Sequence, residues 1–216
     1  MTLSPQQAAA ITAALSSVRL GTYLNATGFS SHATALDIYI WNAQVSSAFF
    51  ASLHICEVVM RNAISHAIEL KYGANWPWAA GFERTLPKWS KGELSSARQG
   101  VAMGSTGKVI AELKFSFWCA MLTASQDQHV WNHHLRSAFP FMPLPYSVAG
   151  ARSRLYDEMQ ALRALRNRIA HHEPIFALPL AAQQERIERL VRYRCPETEK
   201  WLTCWQFVSA AIAARP

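Results

Sequence analysis

The stretch YIWNAQVSSAFFASLHICEVVMRNAI, Tyr39–Ile64, decides the fold class. Ile38, Trp41, Val45, Ala48 or Phe49, Ser52 or Leu53, Cys56, Met60, Ala63 and Ala67 recur at intervals of three or four, the spacing of one face of an α-helix. The pattern holds from about Ala33 to Tyr72. That is long against the ~10–14 residues usual for a globular helix, so two helices meeting near Ala51–His54 are expected.

Upstream, Ser4, Pro5 and Gln7 form a helix start: a capping hydroxyl, a proline in the first turn and a glutamine three residues after Ser4. This helix is expected to fade near Gly21 into a loop holding Asn25, Gly28 and Ser30. Downstream, residues 73–108 hold six glycines and two prolines around Trp76, Trp78 and Trp89, the composition of a loop-rich insertion with short helices. Helical patterning returns over Lys108–Thr123 and Gln128–Ala138, the latter stopped by Pro140, Pro143 and Pro145. A strong helix is predicted over Val148–His171, and further helical segments over Ala181–Tyr193 and Pro196–Ala213. Alternating strand patterns are nearly absent and no repeat of solenoid length occurs. The expectation is an all-α, single-domain bundle over residues 1–216.

Half of the 216 residues are apolar and eight are Trp, which supplies a packed core and excludes a disordered chain. No apolar run approaches the ~20 residues that span a bilayer, and the N-terminus lacks the pattern of a secretory signal. The cysteines Cys56, Cys119, Cys195 and Cys204 are scattered, three of them inside apolar helical patterns. These features imply a cytoplasmic protein with reduced, buried thiols and no membrane partner. His133 and His134 have no Cys or acid at metal spacing, so no metal and no cofactor is expected.

The net charge of +7 and pI near 9.5 suit a polyanionic partner. Nine arginines and no lysine lie between Arg152 and Arg194, against five acids. Arginine is the residue of two-pronged phosphate contact. Helical ion pairs Glu185–Arg189 and Glu188–Arg192 absorb part of the run, but not Arg163, Arg166 or Arg168. A second anion-binding lead fails: AMGSTGKV, from Ala102, has Ala for the first glycine of a phosphate loop, Val109 after Lys108, and no preceding strand.

The chemistry concentrates in LRALRNRIAHHEPIF, Leu162–Phe176. Pro174 cannot continue a helix, so the segment is a helix end and its exit. Leu155, Leu162, Leu165 and Ile169 form an apolar stripe, Arg166 lies at its edge, and Arg163, Asn167 and His171 share the adjoining polar face. Arg166 and His171 stand ~140° apart on an ideal helix, and meet at one phosphate if the helix frays or if two chains face each other. A histidine base and arginine stabilisation of phosphoryl oxygens suit attack by a ribose 2′-hydroxyl on the neighbouring phosphate. Asn167 can position either group. The plainer reading makes His171 and His172 helix-end residues favoured by the dipole.

Arg166-Asn167-x-x-x-His171 resembles the Arg-x(4–6)-His motif of HEPN ribonucleases. The segment from Tyr39 quoted above, YGANW from Tyr72, GKVIAELKFSFW from Gly107, Trp131–Pro140 and LRALRNRIAHHEPI resemble, in this order, the Abi-like (abortive infection) branch of that superfamily. The resemblance covers most of residues 33–176. It implies a helical bundle, a homodimer with motif helices facing each other, and an endoribonuclease toxin or phage-defence effector, with an RNA or protein antitoxin as a candidate neutralising partner. It assigns Arg166, Asn167 and His171 to catalysis, with Arg163 and Arg168 toward RNA. Ser116 stands where the family suggests Gly, a difference expected to affect packing.

A second copy of the pattern, Arg61-Asn62-x-x-x-His66, follows Glu57 by one turn. Either Glu57 and Arg61 pair along the helix, or Arg61 and Asn62 complete an RNA cleft. With His172 they are secondary candidates. The competing reading is a non-catalytic helical module that binds RNA or a partner protein through the same face. The tryptophans can stack on bases, though core packing is their commoner use.

Overall fold

The computed structural model describes residues 3–27, 31–143 and 146–216. The protein is all-α: α1 (Pro5–Leu15), α2 (Ser17–Thr27), α3 (His32–Tyr72), α4 (Ala80–Thr85), α5 (Lys88–Arg98), α6 (Thr106–Glu112), α7 (Phe115–Met121), α8 (Asn132–Ala138), α9 (Val148–Ala170), α10 (Leu180–Arg194), α11 (Pro196–Trp205) and α12 (Val208–Ala213). Short 3-10 turns at Trp76–Trp78 and Ala124–Gln126 and a π turn at Asp127–Trp131 complete it, and no strand occurs among the described residues. Gly28 and Ser30, read above as loop residues, and Pro145, read as a helix stop, lie outside the described residues.

The helices begin and stop for local reasons. At α1 the Gln7 N–H donates to Ser4 Oγ (3.2 Å) and the Ser4 N–H to Gln7 Oε1 (2.8 Å), a complete capping box. The helix does not fade at Gly21: Ser16, at φ 80°, ends α1, and α2 continues from Ser17. In the segment expected to be loop-rich, three of the six glycines, Gly81, Gly92 and Gly107, sit inside helices α4, α5 and α6. Gly73, Gly100 and Gly104 have φ of 83°, 73° and 93°, and these do punctuate the chain.

α3 is one unbroken helix of 41 residues, not two. No Gly or Pro interrupts it, and Trp41, Val45, Phe49, Leu53, Cys56, Met60, Ala63 and Ala67 are all buried along one side. Helices α1, α2, α6, α7, α8, α9, α10 and α12 pack around it. By length and composition α3 is apolar enough to cross a membrane, and one of its sides is buried within the bundle. One continuous cluster of buried apolar side chains runs from Ala8 to Val208. The thiols divide: Cys56 and Cys119 are buried, Cys195 is half-buried and Cys204 is exposed, which corrects the expectation that three are buried. Trp76, Trp118 and Trp131 are fully buried, whereas Trp201 and Trp205 are exposed.

α9 sits against α3, α7, α8 and α10, and polar contacts fix it. Glu158, 9% exposed, receives Arg186 Nε at 2.6 Å and Arg189 at 2.9 and 3.1 Å from α10. At the other end Asp127 takes Arg152 in two bonds of 3.0 and 3.3 Å. The exit from α9 is pinned to α3: Asn42 Oδ1 accepts the backbone N–H groups of Ile175 (2.8 Å) and Phe176 (3.1 Å).

Candidate functional site

The arginine-rich run separates into two groups. Arg152 pairs with Asp127, and Arg154, Arg186 and Arg189 converge on Glu158. Arg192 takes Glu199, and Arg194 donates to the carbonyls of Ser137 and Ala138. Arg168 donates to the Pro174 carbonyl at 2.8 and 3.2 Å and lies 3.7 Å from Glu173. The ladder Glu185–Arg189 and Glu188–Arg192 expected from helical spacing is absent, because both arginines reach other elements for better-placed carboxylates. Of the nine, Arg163 and Arg166 reach neither a carboxylate nor a carbonyl. Each makes one long contact to a side-chain amide oxygen of its own helix: Arg163 to Gln160 (3.4 Å), Arg166 to Asn167 (3.5 Å).

These two arginines line a groove. Its walls are Arg163, Arg166 and Asn167 of α9, Glu57 of α3, and residues 111–116 running from α6 into α7, around about 330 Å³. A smaller cavity of about 190 Å³ adjoins it, sharing Glu57 and Arg166 and adding Arg61, His54 and Phe50. Three of the five segments that carried the family resemblance therefore meet here: the Arg61 region of α3, the GKVIAELKFSFW stretch, and the end of α9. Ser116 also lines the groove. Lys114 also lines it, but is held by Glu93 at 2.8 Å.

Glu57 makes no ion pair within 4.0 Å among the described residues, so the intrahelical Glu57–Arg61 pair is not formed. Arg61 Nε and His66 Nδ1 are buried without a hydrogen-bond partner, while Asn62 is exposed. A buried guanidinium N–H without an acceptor is costly unless a ligand or water meets it. The result is a cleft with three unpaired guanidinium groups and one carboxylate, which is chemistry suited to a phosphodiester. Among the described residues no three His, Cys, Asp or Glu side chains stand together as metal ligands would.

The histidines end α9 in a defined way. His171 is the C-cap at φ −92°, and His172 takes the left-handed conformation at φ 56°. The His172 N–H donates to the Ile169 carbonyl (3.0 Å) and the Glu173 N–H to the Arg168 carbonyl (2.8 Å). Together these are the two bonds of a Schellman cap, with histidine in the place glycine usually fills. The helix therefore closes without fraying, and Pro174 follows it. Arg19 donates to the His172 carbonyl. Both imidazoles are exposed. His171 lines neither arginine-bearing cavity, and His172 lines another groove, between α9 and helices α1, α2 and α3. Arg166 and His171 of one chain are thus not brought together at either cavity.

Lys114, Phe50 and His54 belong to this cleft and did not stand out in the sequence, where only their helical or loop position was visible, and Glu57 stood out only as a helical partner for Arg61. The AMGSTGKV stretch forms a turn leading into α6, with no strand before it. Comparison of the chain with protein-family models, curated proteins and solved structures finds no match.

Proposed function

We propose that this protein is a metal-independent endoribonuclease of the HEPN type that the sequence resembles, acting as a toxin or phage-defence effector in the cytoplasm. The observation that carries the reading is the cleft itself: Arg61, Arg163 and Arg166 come from two helices to one place and have no carboxylate or carbonyl partner there. In this role Arg166 and Arg163 hold the scissile phosphate and stabilise charge on its oxygens, and Asn167 orients it. His171 removes the proton of the ribose 2′-hydroxyl. The hydroxyl oxygen then attacks the phosphorus, the bond to the 5′-oxygen breaks as that oxygen takes a proton from water, and the products carry 2′,3′-cyclic phosphate and 5′-hydroxyl ends. His171 lies at the capped end of α9 and lines neither arginine-bearing cavity, so in this reading the base for one Arg166 is supplied by the second copy of a homodimer.

The test is incubation of the purified protein with total RNA in EDTA beside Arg166→Ala and His171→Ala controls. Cleavage to cyclic-phosphate ends that both substitutions abolish supports the reading. Activity lost in EDTA and restored by a divalent ion, or products with 5′-phosphate, overturns it. The separation of His171 from Arg166 within one chain favours a second reading, a non-catalytic module that binds RNA or a partner protein through the same arginines; tight RNA binding without turnover decides for it.

A further inference from the structure

Beyond Phe50 the face of α3 continues into a groove of about 760 Å³, bounded by Tyr39, Asn42, Ser47 and Phe50 on one side and His172 and Glu173 on the other. Phe50 is 56% exposed and also lines the small cavity that holds Arg61 and Arg166, so the two spaces share a wall. Asn42 is 5% exposed. Its Oδ1 is taken twice, by the N–H groups of Ile175 and Phe176, which fixes the carboxamide against a flip. Its Nδ2 makes no hydrogen bond among the described residues and is not shut off from solvent, so its two N–H donors open to the groove. An amide whose orientation is fixed and whose donors open into a groove is a place where a ligand's acceptor can replace water.

We infer that this groove is a base-reading pocket, which takes a nucleobase of the same RNA strand whose phosphate lies at Arg61 and Arg166; this rests on the ribonuclease reading. Asn42 donates to the base, and Phe50 stacks on a base between pocket and cleft. At ~1.5 Å per residue, Asn42 lies about 22 Å along α3 from Glu57, with Phe50 near the midpoint. The pocket therefore reads a nucleotide several positions from the cut. Since Asn42 offers only donors, a base presenting a carbonyl oxygen, such as uracil or guanine, fits better than adenine, whose acceptors are ring nitrogens flanking an amino group or enclosed in the ring edge.

The experiment uses the full chain as His171→Ala, to suppress turnover, with end-labelled six-nucleotide oligouridylate and oligoadenylate and the uridine dinucleotide, followed by fluorescence anisotropy. The uridylate hexamer is expected to bind at least about fivefold tighter than the adenylate hexamer, and Phe50→Ala to weaken both hexamers by roughly 5- to 150-fold. Asn42→Asp keeps the oxygen that pins the α9 exit and replaces the donor with an acceptor, so it should erase the uridine preference. Should that variant fail to fold, Ser47→Leu, an exposed position that fills the groove, should weaken the hexamers and spare the dinucleotide. Equal binding of both hexamers by the parent, or unchanged hexamer binding by Phe50→Ala and Ser47→Leu in a protein that cuts RNA, overturns the pocket alone. A protein that binds neither oligomer overturns the ribonuclease reading and the pocket with it.

Discussion

Glu158 of α9 holds Arg189 of α10 through both carboxylate oxygens, at 2.9 and 3.1 Å, and takes Arg186 at 2.6 Å on the same group. Three arginines, counting Arg154 at 3.7 Å, depend on one carboxylate that is almost out of solvent. Glu158→Ala leaves them facing one another without a counter-charge. It should cost about 3 kcal/mol of stability. At roughly 2–4 °C per kcal/mol for a chain of this size, thermal melting resolves the loss easily. A melting temperature equal to wild type would show that the cluster contributes nothing net.

Arg166 and Arg168 should behave oppositely, although only Asn167 separates them. Arg166→Ala removes a guanidinium that holds no structural partner, so turnover should fall by about 10²–10³-fold with the melting temperature unchanged. Arg168→Ala removes the donor to the Pro174 carbonyl and should cost about 1 kcal/mol while sparing most of the turnover. Cleavage rate and melting temperature measured on both variants separate the two roles. A dead but stable Arg168→Ala would return that residue to RNA contact.

The two histidines at the α9 exit divide in the same way. His172→Gly places the residue best suited to φ 56° at that position and should raise stability by about 1 kcal/mol, with turnover kept. His171→Ala should lose ~10²–10⁴-fold in rate with little change in melting. If His172→Gly is inactive and His171→Ala still cuts, the base has been assigned to the wrong imidazole.

A composite site across a two-fold axis can be tested by mixing inactive proteins. Arg166→Ala and His171→Ala, co-refolded in equal amounts, give heterodimers in which one of the two sites is intact. Recovery of about a quarter of wild-type activity is expected from random pairing. No recovery, or a monomer by light scattering with full activity, removes the dimer from the mechanism.

Thiol chemistry should follow burial. Burial pushes the Cys119 thiol up to about 12 and raises that of Cys56 further. With a thiol reagent at neutral pH, exposed Cys204 should react readily, and so should half-buried Cys195, whose thiol is held below its usual range by a hydrogen bond with Thr198. Cys56 and Cys119 should react only on unfolding. Rapid labelling of all four in the native protein would contradict the packing around α3.

Local chemistry was legible wherever a single segment carried it. Ser4, Pro5 and Gln7 announced the capping box, and the stripe from Ile38 to Ala67 named the buried face of α3 almost residue by residue. The continuity of α3 was misjudged because length was weighed above the absence of any Gly or Pro across Ala51–His54. The glycines of residues 73–108 misled for the opposite reason: Gly81, Gly92 and Gly107 are helical, since neighbouring packing outweighs a propensity cost of ~1 kcal/mol. Arg166 and Asn167 could be found by motif, but the freedom of Arg163 and Arg166 could not. That freedom depends on which arginines reach Glu158, Asp127, Glu199 and Pro174, and those partners come from distant elements. Asn42 gave no sign at all, because its role depends on a chain exit more than 130 residues away.

Because α3 runs without a break, it acts as a ruler for anything laid along it. Inserting one alanine between Phe50 and Glu57 would rotate one half of the helix by ~100° against the other, so Asn42 and Arg61 could no longer serve the same strand. An insertion of seven residues would nearly restore the facing but lengthen the gauge by about 10 Å. On the proposed reading, the spacing between base recognition and cleavage is set by the rise of one helix, and only insertions that complete nearly whole turns, such as about seven or eleven residues, can change it and keep the facing.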